Sequence, residues 1–281
     1  MQGKPTVKKH AGNFMKYRFL LSELVTKRIK LQYRNSVLGL LWTFLQPLLT
    51  MIVLSFVFNN IFGRDSSKVV NYPVYLLSGR LLHQFFTGST KKAMKSIRSN
   101  TSIIKKVYVP KYIYPLSVVL SDFVTFIISL SVLAVVIIFF NLVRINPITV
   151  SWQIVFAVVP IIILFFLSLG VGMILATLNV FFKDVENLYD IFTLLLFYLT
   201  PIVYTADRLG FEPGSWQYFL LRLNPMYGII EMFRAAVIHS ADFAAHFSVN
   251  EFIYCCVFAA GCMIIGFIAF YKKQDKFILH I

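Results

Sequence analysis

The sequence predicts an all-α, polytopic membrane protein, and three observations carry that reading. Of its 281 residues, 58% are hydrophobic and only 14% charged, with a mean hydropathy of +0.74; soluble domains carry about 25% charged residues. From Val37 to Phe62 no side chain is charged, and these 26 residues span roughly 39 Å as a helix, enough to cross a ~30 Å hydrocarbon core with some tilt. The other apolar segments are also long and continuous, unlike the short alternating segments of a membrane β-barrel. A net charge of +15 raises the question of nucleic acid. The positive-inside rule accounts for it more simply, and no nucleic-acid partner is expected.

The elements follow in order. Residues 1–13 are polar and basic and are expected to fray. In Phe14–Tyr33, Tyr17, Leu20, Leu21, Leu24 and Leu31 recur at spacings of three, four and seven, while Lys16, Lys27 and Lys30 lie elsewhere around the wheel. That pattern predicts an amphipathic helix lying in the membrane interface, or a cytoplasmic helix packed on a partner. Span 1 covers 37–62, with a kink at Gln46-Pro47, and a short outer loop, 63–71, follows. Span 2, 72–90, contains Arg80 and His83. A charge at that depth should face protein or water. Arg80 therefore reads as a contact to an anionic substrate, as a snorkelling side chain, or as the partner of Asp122 or a backbone carbonyl. Residues 91–111 hold Lys91, Lys92, Lys95, Arg98, Lys105, Lys106 and Lys111 and no acid. Ser99–Ser102 and Pro110 predict a loop with one short helix, suited to docking a soluble partner or binding phosphate, or a plain positive-inside loop.

Span 3, 113–142, places Asp122 in its first turns, and Arg144, Asn146 and Pro147 make an outer turn. Span 4, 152–182, has Pro160 near its outer end and Gly170 and Gly172 for close helix approach. Lys183–Asp190 is a tight inner turn. Span 5, 188–205, is short, and Thr200-Pro201 interrupts its end. Ala206–Asn250 is rich in aromatics, and its apolar pieces, Trp216–Leu221 and Met226–Ile238, are too short to cross. Glu231 and Arg234 at i,i+3 can pair on one helix face. This region reads as two short re-entrant or interfacial helices on the outer side, with a soluble outer loop as the alternative. Span 6, 252–271, ends in Lys272, Lys273 and Lys276, giving six transmembrane helices. Most of the 27 Lys and Arg then share a side with both termini, which makes both cytoplasmic. The N-terminal 36 residues are too long and too charged for a signal peptide. Cys255, Cys256 and Cys262 lie inside the last span, as packing or lipid-facing side chains.

No GxxxxGK[ST], GxSxG, HExxH or paired-cysteine site occurs, and the five histidines show no ligand spacing. The chain is not expected to be an enzyme, to hydrolyse ATP by a P-loop, or to hold a metal. Asp184, Glu186 and Asp190 form one acidic cluster. Membrane enzymes of lipid-diphosphate metabolism use such acids to hold Mg²⁺, but capping of span 5 is the simpler reading. Few carboxylates lie within the spans, which argues against an ion-coupled transporter. Aromatic residues abound instead, 29 Phe, 14 Tyr and 3 Trp, and aromatic faces can stack on sugar rings.

The run Ile29-Lys30-Leu31-Gln32-Tyr33-Arg34-Asn35-Ser36-Val37-Leu38-Gly39-Leu40-Leu41-Trp42, with Pro47 following, resembles the opening of the ABC-2 type polysaccharide-export permeases. Those are the membrane subunits that export O-antigen, teichoic acid and group 2 capsule. Tyr75-Leu76-Leu77-Ser78-Gly79 resembles the start of that family's second span. Phe181-Phe182-Lys183-Asp184-Val185 resembles its FFRDV turn, with Lys183 in place of the usual Arg. Thr200-Pro201-Ile202-Val203-Tyr204, Asn224-Pro225-Met226 and Phe233-Arg234 resemble its outer region. The similarity covers about residues 15–272.

The resemblance implies a homodimer, each copy paired with a separate ATPase subunit that binds ATP and Mg, with no cofactor in this chain. It implies a polysaccharide on an undecaprenyl diphosphate lipid as cargo, in a bacterial plasma (inner) membrane. The chain divides accordingly into a cytoplasmic tail and interfacial helix (1–35), a transmembrane domain (36–272) and a cytoplasmic tail (273–281). Lys30, Arg34, Lys105 and Lys106 are expected at the inner entrance, attracting the lipid diphosphate. Tyr33, Trp42 and Arg80 are expected along the polymer path. Arg98, Lys183, Asp184 and Glu186 are expected at the ATPase contact, and Pro201, Pro225, Glu231 and Arg234 at the outer gate. Arg80 and His83 depart from the apolar residues or Pro-Trp-like pair expected there. The alternatives are an ABC-2 permease for a small drug or lipid and a membrane enzyme of lipid-diphosphate metabolism. The Lys- and Ile-rich, Ala-poor composition leans toward a Gram-positive source and a teichoic acid or wall glycan.

Overall fold

The computed structural model describes residues 7–34, 36–62, 71–106, 109–204 and 215–280, of which 7–16, 59–62 and 280 are described by backbone alone. Residues 63–70 of the expected outer loop, and 205–214 from the last residue of the expected fifth span onward, lie outside them. All regular structure among the described residues is helical. α1 (Val7–Tyr33) leads through a 3₁₀ turn, Gly39–Leu41, into α2 (Trp42–Phe62). α3 (Tyr72–Ser99) and the short α4 (Thr101–Ile104) precede α5 (Ile113–Val143). A second 3₁₀ turn, Trp152–Ala157, opens α6 (Val158–Phe181), followed by α7 (Val185–Leu199), α8 (Trp216–Leu223), α9 (Pro225–Val237) and α10 (Phe243–His246). α11 (Val249–Lys273) and α12 (Phe277–His280) close the chain.

The helix ends follow local chemistry. The Asn71 side chain accepts from the Val74 amide, with Pro73 in the first turn of α3. Asn224 does the same for the Met226 amide, with Pro225 opening α9. Ser248 accepts from the Glu251 amide at the start of α11, the S-x-x-E pattern of a capping box. After α5 the chain turns through Arg144 and Asn146, both in the left-handed region at φ 56° and 47°. The Asn141 side chain bridges that turn, donating to the Ile148 carbonyl and accepting from its amide at 3.0 and 2.8 Å.

Four described helical segments are long and apolar enough to cross a membrane: Gly39–Phe58, Ile113–Val143, Trp152–Phe181 and Val249–Leu279. α3 packs against both α5 and α6, and α6 packs also on α11. A Cβ at Gly170 would lie 2.6 Å from the Met263 amide nitrogen, and one at Gly266 2.5 Å from the Gly170 carbonyl oxygen. α6 and α11 therefore meet backbone to backbone, the close approach that small residues permit. Gly172 serves the α6–α3 contact, where a Cβ would lie 2.9 Å from the Ala93 methyl. α1 leans on α5, with Tyr17, Leu20, Leu21 and Leu24 half-buried and Leu31 exposed.

Several boundaries differ from the sequence pattern. α1 starts at Val7, seven residues before Phe14, so part of the basic N-terminal stretch is helical. α3 does not end near residue 90 but continues to Ser99. Lys91 and Lys95 are held there by acids of α7 at 2.6 and 2.8 Å, so the stretch read as a loop is two further helical turns. α7 is shorter than span 5, stopping at Leu199 before Thr200-Pro201. α2 runs through Pro47, its first turn preceded by the 3₁₀ segment. At the other end of the chain, the Phe277 ring is fully buried against Phe181 and Phe270, and Lys111 donates to the Gln274 carbonyl at 2.5 Å.

Candidate functional site

The apolar bundle is broken by a polar stripe on α3. Arg80, His83, Gln84, Thr87, Lys91, Lys95 and Arg98 follow one another at spacings of one to four residues, which keeps them on one side of a helix. Arg80, His83, Gln84, Thr87 and Lys91 line an open groove of about 550 Å³ between α3 and α7, with Asp190, Thr193 and Phe197 on its other wall. The His83 ring meets Phe197 edge-on at 5.3 Å, and its Nε2 is buried without a partner among the described residues.

The cations of α3 divide sharply. Lys91 pairs with Asp190 at 2.6 Å, Lys92 with Asp122 at 2.8 Å and Lys95 with Glu186 at 2.8 Å. Arg98 donates to the Val180 carbonyl at 3.3 Å. Arg80 makes no ion pair or hydrogen bond among the described residues, and its Nε is buried and unpartnered. The expected pairing of Arg80 with Asp122 does not form, because Lys92 takes that carboxylate.

On the other side of α3, a second hollow of about 320 Å³ lies against α1, α2 and α5. It is lined by Tyr33, Trp42, Gln46, Gln84, Lys92 and Asp122 among others. The Tyr33 and Thr43 hydroxyls hydrogen-bond at 2.6 Å, joining the end of α1 to α2. Gln84 lines both hollows. Tyr33 and Trp42 thus share one hollow, while Arg80 lies in the other. Lys30 and Arg34 at the end of α1, and Lys105 and Lys106 after α4, are all exposed. No described hydrogen bond or ion pair joins the two pairs.

At the other expected contacts, Arg98, Glu186 and Lys95 converge where α3, α6 and α7 meet. Glu186 also accepts from Asn179 Nδ2 at 3.1 Å. The Lys95 hydrogen bond, aided by Asn179 and the charges of Lys95 and Arg98, holds the Glu186 carboxyl below its ordinary value against a smaller opposing effect of burial. Lys183 and Asp184 are exposed in the turn. Asp184 stands at the N-cap of α7 without a side-chain cap bond. With Glu186 and Asp190 engaged by lysines, this cluster is a charge seam between helices. Among the described residues no group of three or more His, Cys, Asp or Glu could hold a metal ion.

Of the four residues expected at the outer gate, Pro201 and Glu231 meet at Arg234, while Pro225 only follows Asn224, whose side chain reaches Thr200. Arg234, 2% exposed, donates to the Pro201 carbonyl and to Glu231, both at 2.8 Å, and to the Tyr75 and Ile202 carbonyls, both at 3.2 Å. Its guanidinium lies 3.4 Å over the Tyr75 ring, and a Cβ at Gly79 would meet it at 2.6 Å. Tyr72 donates to the Val203 carbonyl at 2.7 Å, and Tyr75 to the Tyr204 carbonyl at 3.1 Å. Asn224 donates to Thr200 Oγ1 at 2.8 Å, next to Pro225. Buried irregular backbone needs such internal partners, and here every carbonyl from Pro201 to Tyr204 has one. Sequence reasoning missed the tyrosines and Asn224 as partners of this break. It also missed the Lys91–Asp190 and Lys95–Glu186 pairs, although their matching four-residue steps on α3 and α7 were there to be read.

A family model for the ABC-2 type transporter matches residues 20–238. The chain belongs to the ABC-2 type transporter family. Among similar proteins, O-antigen export system permease protein RfbA of Klebsiella pneumoniae is 32% identical over 215 residues, 76% of this chain and 78% of that one. The Myxococcus xanthus protein of the same description is 30% identical over 219 residues, 78% and 80% of the two chains. Polysialic acid transport protein KpsM of Escherichia coli is 22% identical over 264 residues, 91% and 93%. With its apolar helices, this ABC-2 chain is a multi-pass membrane protein. It is the permease side of an ABC transporter, a class that works with an ABC ATPase.

Proposed function

We propose that this permease exports a lipid-linked cell-envelope polysaccharide across the bacterial plasma membrane, driven by ATP hydrolysis in a separate subunit that binds ATP and Mg. The observation that carries this reading is the polar stripe of α3, open to a groove inside an apolar bundle, in a chain 30–32% identical to O-antigen export permeases. A polyhydroxylated polymer needs a hydrophilic wall across the bilayer, and α3 supplies one from Arg80 to Lys91, roughly 17 Å at 1.5 Å per residue.

In this reading the chain crosses the membrane six times, with α3 and α7 completing the set, both termini cytoplasmic and α8 and α9 re-entrant. Residues 1–35 form the tail and interfacial helix, 36–272 the transmembrane domain and 273–281 the second tail. The exposed apolar faces of α2 and α7, including Ile52, Phe56, Ile191 and Leu195, face lipid and a second copy. Lys30, Arg34, Lys105 and Lys106 attract the lipid diphosphate at the inner side, since contacts to phosphate are charge-assisted. Tyr33, Trp42 and Arg80 line the route. Arg98, Lys183, Asp184 and Glu186 meet the ATPase, and the Arg234 node forms the outer gate.

Depletion of the chain should leave lipid-linked polymer in the cytoplasm. A cell that exports its surface glycan normally after depletion refutes the reading and favours the drug or small-lipid alternative. Lys105→Glu with Lys106→Glu, at exposed positions, should lower export; unchanged export removes the entrance role.

A further inference from the structure

Arg80 has no counter-charge in the chain as described. The other cations of α3 each have a partner, three of them carboxylates and one a carbonyl. Arg80 instead faces the groove beside His83, Gln84 and Thr87. Among the described residues, the helices beside the groove offer a second copy no free acid. α2 has no charged residue, and both acids of α7, Glu186 and Asp190, are already paired. Asp122 of α5 is held by Lys92. The groove therefore presents one net positive charge with an aromatic edge, Phe197, opposite it. Arg80 is half-buried with its Nε covered and its guanidinium end open to the groove; a cation so placed, with no carboxylate beside it, is compensated by something that visits the site.

We infer that this groove selects an anionic polymer, with Arg80 contacting a phosphate or carboxylate oxyanion of the cargo as it passes. The inference rests on the export reading and adds the charge of the cargo to it. The oxyanion can belong to the repeating units or to the lipid diphosphate. The position of Arg80, nine residues inside α3 and away from the inner lysines, favours the repeating units. His83 and Gln84 add neutral hydrogen-bonding groups for sugar hydroxyls, and Phe197 an apolar edge for a sugar face.

The test uses the permease with its ATPase in proteoliposomes, supplied with ATP and three cargoes on the same lipid diphosphate. These are a poly(glycerol phosphate) oligomer, a neutral oligosaccharide of matching length, and the lipid diphosphate alone. Arg80→Gln should lower the ratio of anionic to neutral transport about tenfold or more, the loss expected for one charge-assisted hydrogen bond. Arg80→Lys should restore most of it. Gln84→Glu, at an exposed position in the same groove, should lower the ratio in the same direction without disturbing the core. Equal losses for anionic and neutral polymers in both Arg80→Gln and Gln84→Glu overturn the inference. So does an Arg80→Gln loss as large for the polymer-free lipid as for the anionic polymer, which assigns the oxyanion to the headgroup. An effect of Arg80→Gln reproduced by Asp65→Asn, Asp207→Asn or Glu212→Gln would place the counter-ion in the chain's own outer loops and overturn it too. A parent complex that moves none of the three cargoes refutes the export reading itself, and this inference with it.

Discussion

Replacing Arg234 with Met tests whether the node around Pro201–Tyr204 is held by one side chain. The guanidinium serves three carbonyls and one carboxylate from a site 2% exposed. Met fills much of the volume but donates nothing. Two of the carbonyls, at Pro201 and Ile202, belong to backbone without helical partners. Losing one partner of a buried, hydrogen-bonded charge costs about 3–5 kcal/mol, and each stranded acceptor about 1–3 kcal/mol, with overlap between the two. A loss of about 4 kcal/mol is expected. Denaturant unfolding of the purified protein in detergent, followed by tryptophan fluorescence, measures it. Gly79→Ala supplies the cross-check. Its methyl would sit 2.6 Å from Arg234 Nη2, so it should destabilise the parent. In the Arg234→Met background the obstacle is gone, and alanine's helix preference, about 0.5–1 kcal/mol, should make the same change neutral or favourable. Additive effects of the two substitutions, or an Arg234→Met protein within 1 kcal/mol of its parent, would refute the argument.

Gly266→Ala should cost about 1–3 kcal/mol by overpacking against the Gly170 carbonyl, whereas Gly261→Ala on the same helix meets open space and should gain up to about 1 kcal/mol; thermal unfolding of the two variants side by side checks the contrast. Phe277→Ala should cost about 3 kcal/mol locally, seen as faster amide exchange across residues 274–279 and in the segment around Lys111. Folding holds the Glu186 carboxyl below its ordinary 4.5, so its contribution is complete above pH 4.5 and fades as pH falls through the lower folded value. Melting temperatures of the parent should therefore fall more steeply on acidification below that point than those of Glu186→Gln; parallel curves would disprove the coupling.

The spans were legible because they are runs of apolar residues longer than a bilayer is thick, and α2, α5, α6 and α11 match them closely. The Gly170 approach and the Glu231–Arg234 pair were legible too, since both depend on local spacing. α3 was misjudged at its C-terminal end. Lys91 to Arg98 looks like a loop when its charges are counted as solvated, but Asp190 and Glu186, far along the chain on α7, make those charges compatible with a helix. The same limit applied at Thr200–Tyr204. A proline marks the break, yet nothing local says that its carbonyls are met by Tyr72, Tyr75 and Arg234. Arg80 shows the opposite case. Its oddity was plain from its place inside an apolar span, and the structure sharpened it by giving the other cations of α3 partners and Arg80 none among the described residues.

The glycine contact between α6 and α11 also bears on how such a molecule can work. Helices joined main chain to main chain have no side-chain layer in which to slide, so those two move as a single keel. α7 buries only Tyr189 and Leu196, and exposed salt links that exchange readily tie its N-terminal end. A transport stroke that leaves the keel rigid would have to be carried by that loosely moored rod, swinging between its lysine tethers below and the arginine rivet above.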